Sequence, residues 1–183
     1  DFSAYIDERP AEGIYRVSRS IYTDPKLFEL EMNYIFEKNW VYLCHESQIE
    51  NPNDFITTYI GRQPVIVNRD ADGKIGAYIN ACAHRGTLVE NSSRGSKKLF
   101  TCPFHGWCYK SNGELVHYGD SEKAGYSDNF DGVEMGLVKI PCIDSYGGFV
   151  FGSLSENVPT LSDHLAEATK LIDMLVDQDK DGL

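Results

Sequence analysis

Two short segments carry side chains that bind metal through sulfur and nitrogen: Cys82-Ala83-His84 and, 17 residues further on, Cys102-Pro103-Phe104-His105. Each pairs one thiol with one imidazole. A [2Fe–2S] core has two irons that each need two protein ligands, so two thiolates on one iron and two imidazoles on the other complete both tetrahedra. Two loops closing from opposite sides, each giving one ligand to each iron, meet that need. Two ferric ions, two sulfides and two thiolates sum to a neutral cluster, and one electron leaves a single delocalised negative charge. The chemistry is therefore single-electron exchange. The same four residue types also bind one zinc ion tetrahedrally, although zinc modules usually keep Cys with Cys and His with His.

The neighbours of these ligands fit a cluster. Gly86 and Gly106 follow the two histidines, and without a Cβ the backbone there can aim N–H groups at sulfur. Phe104 and Trp107 are placed to shield one side from water. Other metal-binding or titratable residues read as ordinary. His45, His117 and His164 fall singly in a strand end, a strand and a helix, and Glu46/Glu50 and Asp177/Asp179 lie in polar stretches. Cys44, Cys108 and Cys142 read as small core residues. Gly73-Lys74-Ile75-Gly76 and Gly147-Gly148 lack the Gly-Lys-Ser/Thr and helix start of a phosphate loop. With no dinucleotide or flavin fingerprint, electrons must arrive from another protein. No pair of histidines with a carboxylate reads as a mononuclear iron triad.

The elements that must position the ligands are mainly strands. Short β-branched and aromatic runs at 40–43, 55–60, 65–67, 75–79, 99–101, 107–110, 114–117, 138–140 and 148–151 predict a mostly β fold, an antiparallel sandwich or small barrel. Asp70-Ala71-Asp72-Gly73 supplies one turn, and Asn112-Gly113 reads as a two-residue hairpin. A helix is expected over 24–39, capped by Asp24 with Pro25 in its first turn, and a second over 161–176, capped by Thr160 or Ser162. The Asp-, Gly-, Ser- and Asn-rich stretch 119–136 reads as a surface excursion.

The 183 residues suit one domain with structured extensions. A formal charge of −11 argues against nucleic acid or an anionic membrane as partner. Without an apolar run of about 20 residues or a secretory pattern, a cytoplasmic location is expected. Five cysteines in no regular framework fit a compartment where thiols stay reduced. A chain that starts at Asp1 and stops at Leu183 within a charged run reads as a fragment.

Cys82-Ala83-His84-Arg85-Gly86 followed by Cys102-Pro103-Phe104-His105-Gly106-Trp107 resembles the Rieske motif of the large (α) subunit of aromatic-ring-hydroxylating dioxygenases. Tyr34 to Trp40, Gly61-Arg62-Gln63-Pro64, Gly125-Tyr126-Ser127 and Ile172-Asp173-Met174 are similar to the benzoate, toluate, halobenzoate and anthranilate branch. The resemblance implies a Rieske [2Fe–2S] centre on Cys82, His84, Cys102 and His105. It implies a Rieske domain over 41–158, preceded by an N-terminal extension and helix (1–40). A C-terminal helix (159–183) would lead to a catalytic domain absent from this chain. That missing domain is expected to carry a mononuclear non-haem iron and to form cis-dihydrodiols on an aromatic carboxylate with NADH as ultimate donor. This chain would then only relay electrons. Implied partners are a reductase or ferredoxin and a neighbouring α subunit's catalytic domain, in a trimer-based assembly with or without a β subunit. A free-standing Rieske ferredoxin and a Rieske monooxygenase or demethylase are the alternatives. Respiratory Rieske loops carry a disulfide where this chain has Thr87 and Phe104, so a potential near the low end, roughly −150 mV, is expected.

Overall fold

The computed structural model describes residues 3–118 and 135–178. Strands β1 (Ile6–Arg9) and β2 (Ile14–Val17) form an N-terminal hairpin, followed by helix α1 (Pro25–Glu31). The body holds β3 (Val41–His45), β4 (Asp54–Ile60), β5 (Gln63–Arg69), β6 (Ile75–Ile79), β7 (Arg94–Ser96), β8 (Leu99–Thr101), β9 (Trp107–Lys110) and β10 (Leu115–Tyr118). Then come β11 (Cys142–Tyr146), β12 (Phe149–Ser153) and helices α2 (Leu161–Leu165) and α3 (Ala168–Val176). All pairings are antiparallel, in sheets ordered β1-β2, β6-β5-β4-β7, β11-β12-β3 and β10-β9-β8. Among the described residues none closes into a barrel, so of the two expected forms the open, packed-sheet one is present.

The four-stranded sheet is buried on both faces, and the pleat explains how. Side chains alternate along a strand, so Val65 and Val67 of β5 enter one core with Leu43 of β3 and Val150 of β12. Ile66 between them enters a second core with Phe100 of β8 and Trp107 and Tyr109 of β9. The second core also contains Cys82 and Cys102. The thiols of both motifs therefore sit at the edge of an apolar layer.

Several boundaries differ from the sequence expectation for local reasons. The hairpin at 112–113 has a three-residue loop: Lys110 N–H donates to Glu114 O at 2.8 Å and Gly113 N–H to Lys110 O at 2.9 Å, with Gly113 at φ 84°. Asn112 is not at positive φ, so the turn is the type I plus glycine-bulge form rather than a two-residue one. The same pattern closes Asp70–Lys74. Residues 138–140 make one bridge, Lys139 to Tyr78, instead of a strand. β1, β2, β7 and β11 were not expected, because Asp, Arg, Glu, Gly and Ser interrupt their apolar alternation. Asp24 caps α1 by accepting from Lys26 N–H, but α1 ends at Glu31 and gives way to a π turn, Met32–Phe36. Only Leu27 and Met32 are buried there, while Phe28, Leu30, Tyr34 and Ile35 stay exposed, so the expected single apolar face is largely uncovered. The C-terminal helix is broken at Ala166, whose φ is 44°. Residues 119–134, expected as a surface excursion, lie outside the described residues, as does Gly125-Tyr126-Ser127. Among the described residues no helix is long and apolar enough to cross a membrane.

Candidate metal centre

The two motif segments fold into the same turn. Gly86 N–H donates to Cys82 O at 2.8 Å and Cys82 N–H to Thr87 O at 2.8 Å. In the other, Gly106 N–H donates to Cys102 O at 3.0 Å and Cys102 N–H to Trp107 O at 2.8 Å. Gly86 and Gly106 have φ of 73° and 72°. This left-handed conformation, which glycine adopts without a Cβ penalty, closes each turn. An added Cβ would meet no neighbouring atom at either position, so the requirement is conformational.

The turns bring the four expected residues together in a graded arrangement. Cys82 and Cys102 are 4% and 2% exposed, His84 is half-buried and His105 is exposed. The imidazoles meet edge to face, ring centres 4.7 Å apart and planes 67° apart, and His84 lies flat on Trp107, 5.0 Å away and 6° from parallel. Trp107 thus shields the site as expected, whereas Phe104 is 62% exposed and tilts on His105 at 4.0 Å. Because Phe104 sits at the tip of its turn, it covers a ring and little else.

The donor set fits an iron–sulfur cluster on two observations. All five cysteines are free thiols. His84 Nδ1 is buried and has no hydrogen-bond partner, and a buried polar atom left unpaired needs an explanation. A metal supplies one. Donors divided between two loops suit two irons better than one zinc. Burial, the Arg85 guanidinium and the His105 ring all hold His84 below its ordinary pKa, which favours the neutral ring that a metal requires.

Two residues not anticipated from sequence support the site. Tyr109 Oη accepts from Ala83 N–H at 3.1 Å and lies 3.1 Å from Cys82 Sγ. Burial first, and then the Cys82 contact, push the phenol well above its usual range. It therefore stays protonated, with its proton available to the sulfur. Strand alternation with Trp107 was the available signal, since both point inward from β9. Asn80, two residues before Cys82, was the other.

The remaining candidates fall elsewhere. His45 Nδ1 accepts from Ser47 N–H and caps the turn after β3, His117 lies on β10 and His164 on α2. Glu46 is bonded to Arg69 and Ser145. Cys44 is a core residue whose thiol burial pushes up to about 12. Cys108 and Cys142 are only half-buried, contrary to expectation, and each thiol donates to a carbonyl: Gly106 O at 3.3 Å and Ser155 O at 3.5 Å.

Comparison with known proteins agrees with this geometry. The Rieske [2Fe–2S] domain family matches residues 39–141. Toluate 1,2-dioxygenase subunit alpha of Pseudomonas putida is 48% identical over 97% of this chain and 39% of its own length. The anthranilate 1,2-dioxygenase large subunit of Acinetobacter baylyi is 49% identical over 97% of this chain and 37% of its own. The crystal structure of naphthalene 1,2-dioxygenase from Rhodococcus sp. superposes with a TM-score of 0.85 at 35% identity, covering 91% of this chain and 38% of that one. With its paired turns, buried thiols and adjacent imidazoles, the chain belongs to the Rieske [2Fe–2S] domain family. It spans under two fifths of the length of these relatives.

Proposed function

We propose that Cys82 and Cys102 ligate one iron of the [2Fe–2S] cluster and His84 and His105 the other, with Nδ1 of His84 facing the metal. The observation that carries this assignment is the buried, unpartnered Nδ1 of His84 beside two buried free thiols on matched turns. Bound there, the cluster takes up and releases one electron at a time. The chain's own residues set the terms. Trp107 keeps water from one side, Tyr109 holds its proton towards Cys82, and His105 brings the metal-binding edge to the surface, where a redox partner can approach.

We infer that this relay forms the N-terminal end of the large subunit of an aromatic-ring-hydroxylating oxygenase, a reading supported by the names and greater lengths of the relatives. The relay unit is 41–158, with 1–40 as an extension and 159–183 leading to a catalytic domain. Electrons come from a reductase or ferredoxin fed by NADH. They pass to a mononuclear non-haem iron in a neighbouring subunit of a trimer-based assembly, with or without a β subunit, in the cytoplasm. The substrate class is an aromatic carboxylate. The division of labour is tested by incubating this chain with reductase, NADH and benzoate. Electron uptake without dihydroxylation is expected, and product formation contradicts it. For the ligands, His105→Cys lowers the potential or prevents cluster assembly, and an unchanged spectrum removes His105 from the set.

A further inference from the structure

The two ligand turns match in backbone but differ in what holds their ends. The second sits at the tip of a ladder: Thr101 of β8 pairs with Cys108 of β9, directly beneath Cys102 and Trp107. The first has no such ladder, since β6 stops at Ile79 and the next strand starts at Arg94. One side chain occupies that place. Asn80 Oδ1 accepts from Val89 N–H and from Glu90 N–H, both at 3.0 Å, and its Nδ2 donates to Glu90 O at 2.7 Å. Its backbone N–H donates to Pro64 O at 2.8 Å, which fixes it to the sheet. Asn80 is 2% exposed, and Val89 and Glu90 are 4% and 5% exposed. Three buried hydrogen bonds from one amide therefore close the chain on both sides of Cys82 and His84.

The far end of this closure is itself anchored. The Glu90 carboxylate accepts from Ser92 N–H at 2.8 Å and pairs with Lys97 Nζ at 2.6 Å. An amide that bonds two N–H groups and one carbonyl of a facing segment does the work of a strand pair without needing a strand. This allows residues 81–88 to leave the sheet, present two ligands and return to a fixed point.

We propose that Asn80 is a positioning residue for the cluster: its side chain staples Ile79–Ala81 to Val89–Glu90 and so sets where Cys82 and His84 stand relative to the second turn. The proposal rests on those two residues being ligands. If the staple only contributed to folding, losing it would lower stability and leave the cluster's electronic structure untouched. If it positions ligands, the cluster itself changes.

The test uses the cluster-loaded chain and two readouts, the rate of cluster loss to a chelator and the EPR g-values of the reduced state. Asn80→Ala is expected to lose its cluster about tenfold faster, the scale set by breaking buried hydrogen bonds, and to show shifted g-values. Asn80→Asp keeps the oxygen that accepts from Val89 and Glu90 and should fall between Asn80→Ala and the unaltered protein. Val67→Ala, in the opposite core, should lower the melting temperature while leaving both readouts unchanged. Should Asn80→Ala fail to fold, Asn80→Asp decides on the same readouts. Asn80 variants that behave like Val67→Ala overturn the proposal. An unaltered protein without a [2Fe–2S] spectrum, or a His84→Ala variant that retains it unchanged, overturns the ligand assignment and the staple with it. That failure is visible before any Asn80 variant is made.

Discussion

The turn at Cys82–Thr87 and the turn at Cys102–Trp107 share one hydrogen-bond pattern and one left-handed glycine, yet they place their histidines differently. In the first, His84 follows its cysteine by two residues, and its ring lies flat against Trp107 with Nδ1 buried. In the second, Pro103 and Phe104 intervene, and His105 stands at the exposed rim. The supports differ as well: a β-ladder beneath the second turn, the Asn80 amide and the Tyr109 phenol beneath the first. A pair of near-identical turns thus yields one inner and one outer imidazole. Local turn geometry is set by a glycine four residues after each cysteine, whereas the support beneath each turn comes from residues outside the motif.

The largest effect should come from what the turns share. Gly86→Val and Gly106→Val each force a β-branched residue into positive φ, at a cost of about 1–3 kcal/mol, and both should strip iron from the purified protein. An iron loss confined to one variant breaks the equivalence. Next is the anchor behind the first turn alone. Burial acts to raise the Glu90 carboxyl, but the Lys97 ammonium and the Ser92 N–H outweigh it and hold the group below the usual range. A depressed carboxylate contributes stability that is complete above its unfolded value, about 4.3, and lost as pH falls through the lower folded value. Lys97→Met removes the partner and should cost about 1–2 kcal/mol at neutral pH, less than a fully buried pair because Lys97 is half-exposed. Its acid transition in urea titrations should move to higher pH.

Smaller still is the phenol. A hydrogen bond to a thiolate favours the more negative, reduced state, so Tyr109→Phe should lower the midpoint by about 50 mV, the equivalent of roughly 1 kcal/mol for a one-electron couple. An unchanged or raised midpoint in a redox titration contradicts the direction. The smallest effect belongs to the exposed tip. Phe104→Ala should change stability by under about 0.5 kcal/mol in chemical denaturation and leave the cluster spectrum unaltered.

The sequence made the site more legible than its support. Cys82, His84, Cys102 and His105 are close in sequence within each pair, and Gly86 and Gly106 mark their turns, so short-range spacing was enough to propose them as ligands. β5 and β6 were equally plain, because Val65 to Val67 and Ile75 to Ile79 are apolar runs. Strand alternation marked Tyr109 as inward, but the roles of Asn80 and Tyr109 were not legible, since each acts by reaching residues 9–10 or 26–27 positions away. No local pattern records such a contact. α1 and its π turn hide their pattern in a related way: Phe28, Leu30, Tyr34 and Ile35 have helical spacing, yet among the described residues they stay exposed. β11, reading Cys-Ile-Asp-Ser-Tyr, exists because β12 pairs with it along its whole length.

The central claim is that two thiolates and two imidazoles from these matched turns hold one binuclear centre. Iron and sulfide analysis of the purified chain, combined with pulsed EPR of the dithionite-reduced protein, tests it most directly. Two irons and two sulfides per chain, with a spectrum carrying hyperfine coupling from two imidazole nitrogens that disappears stepwise in His84→Ala and His105→Ala, is the predicted result. A colourless protein with one zinc, or a cluster without nitrogen coupling, contradicts it.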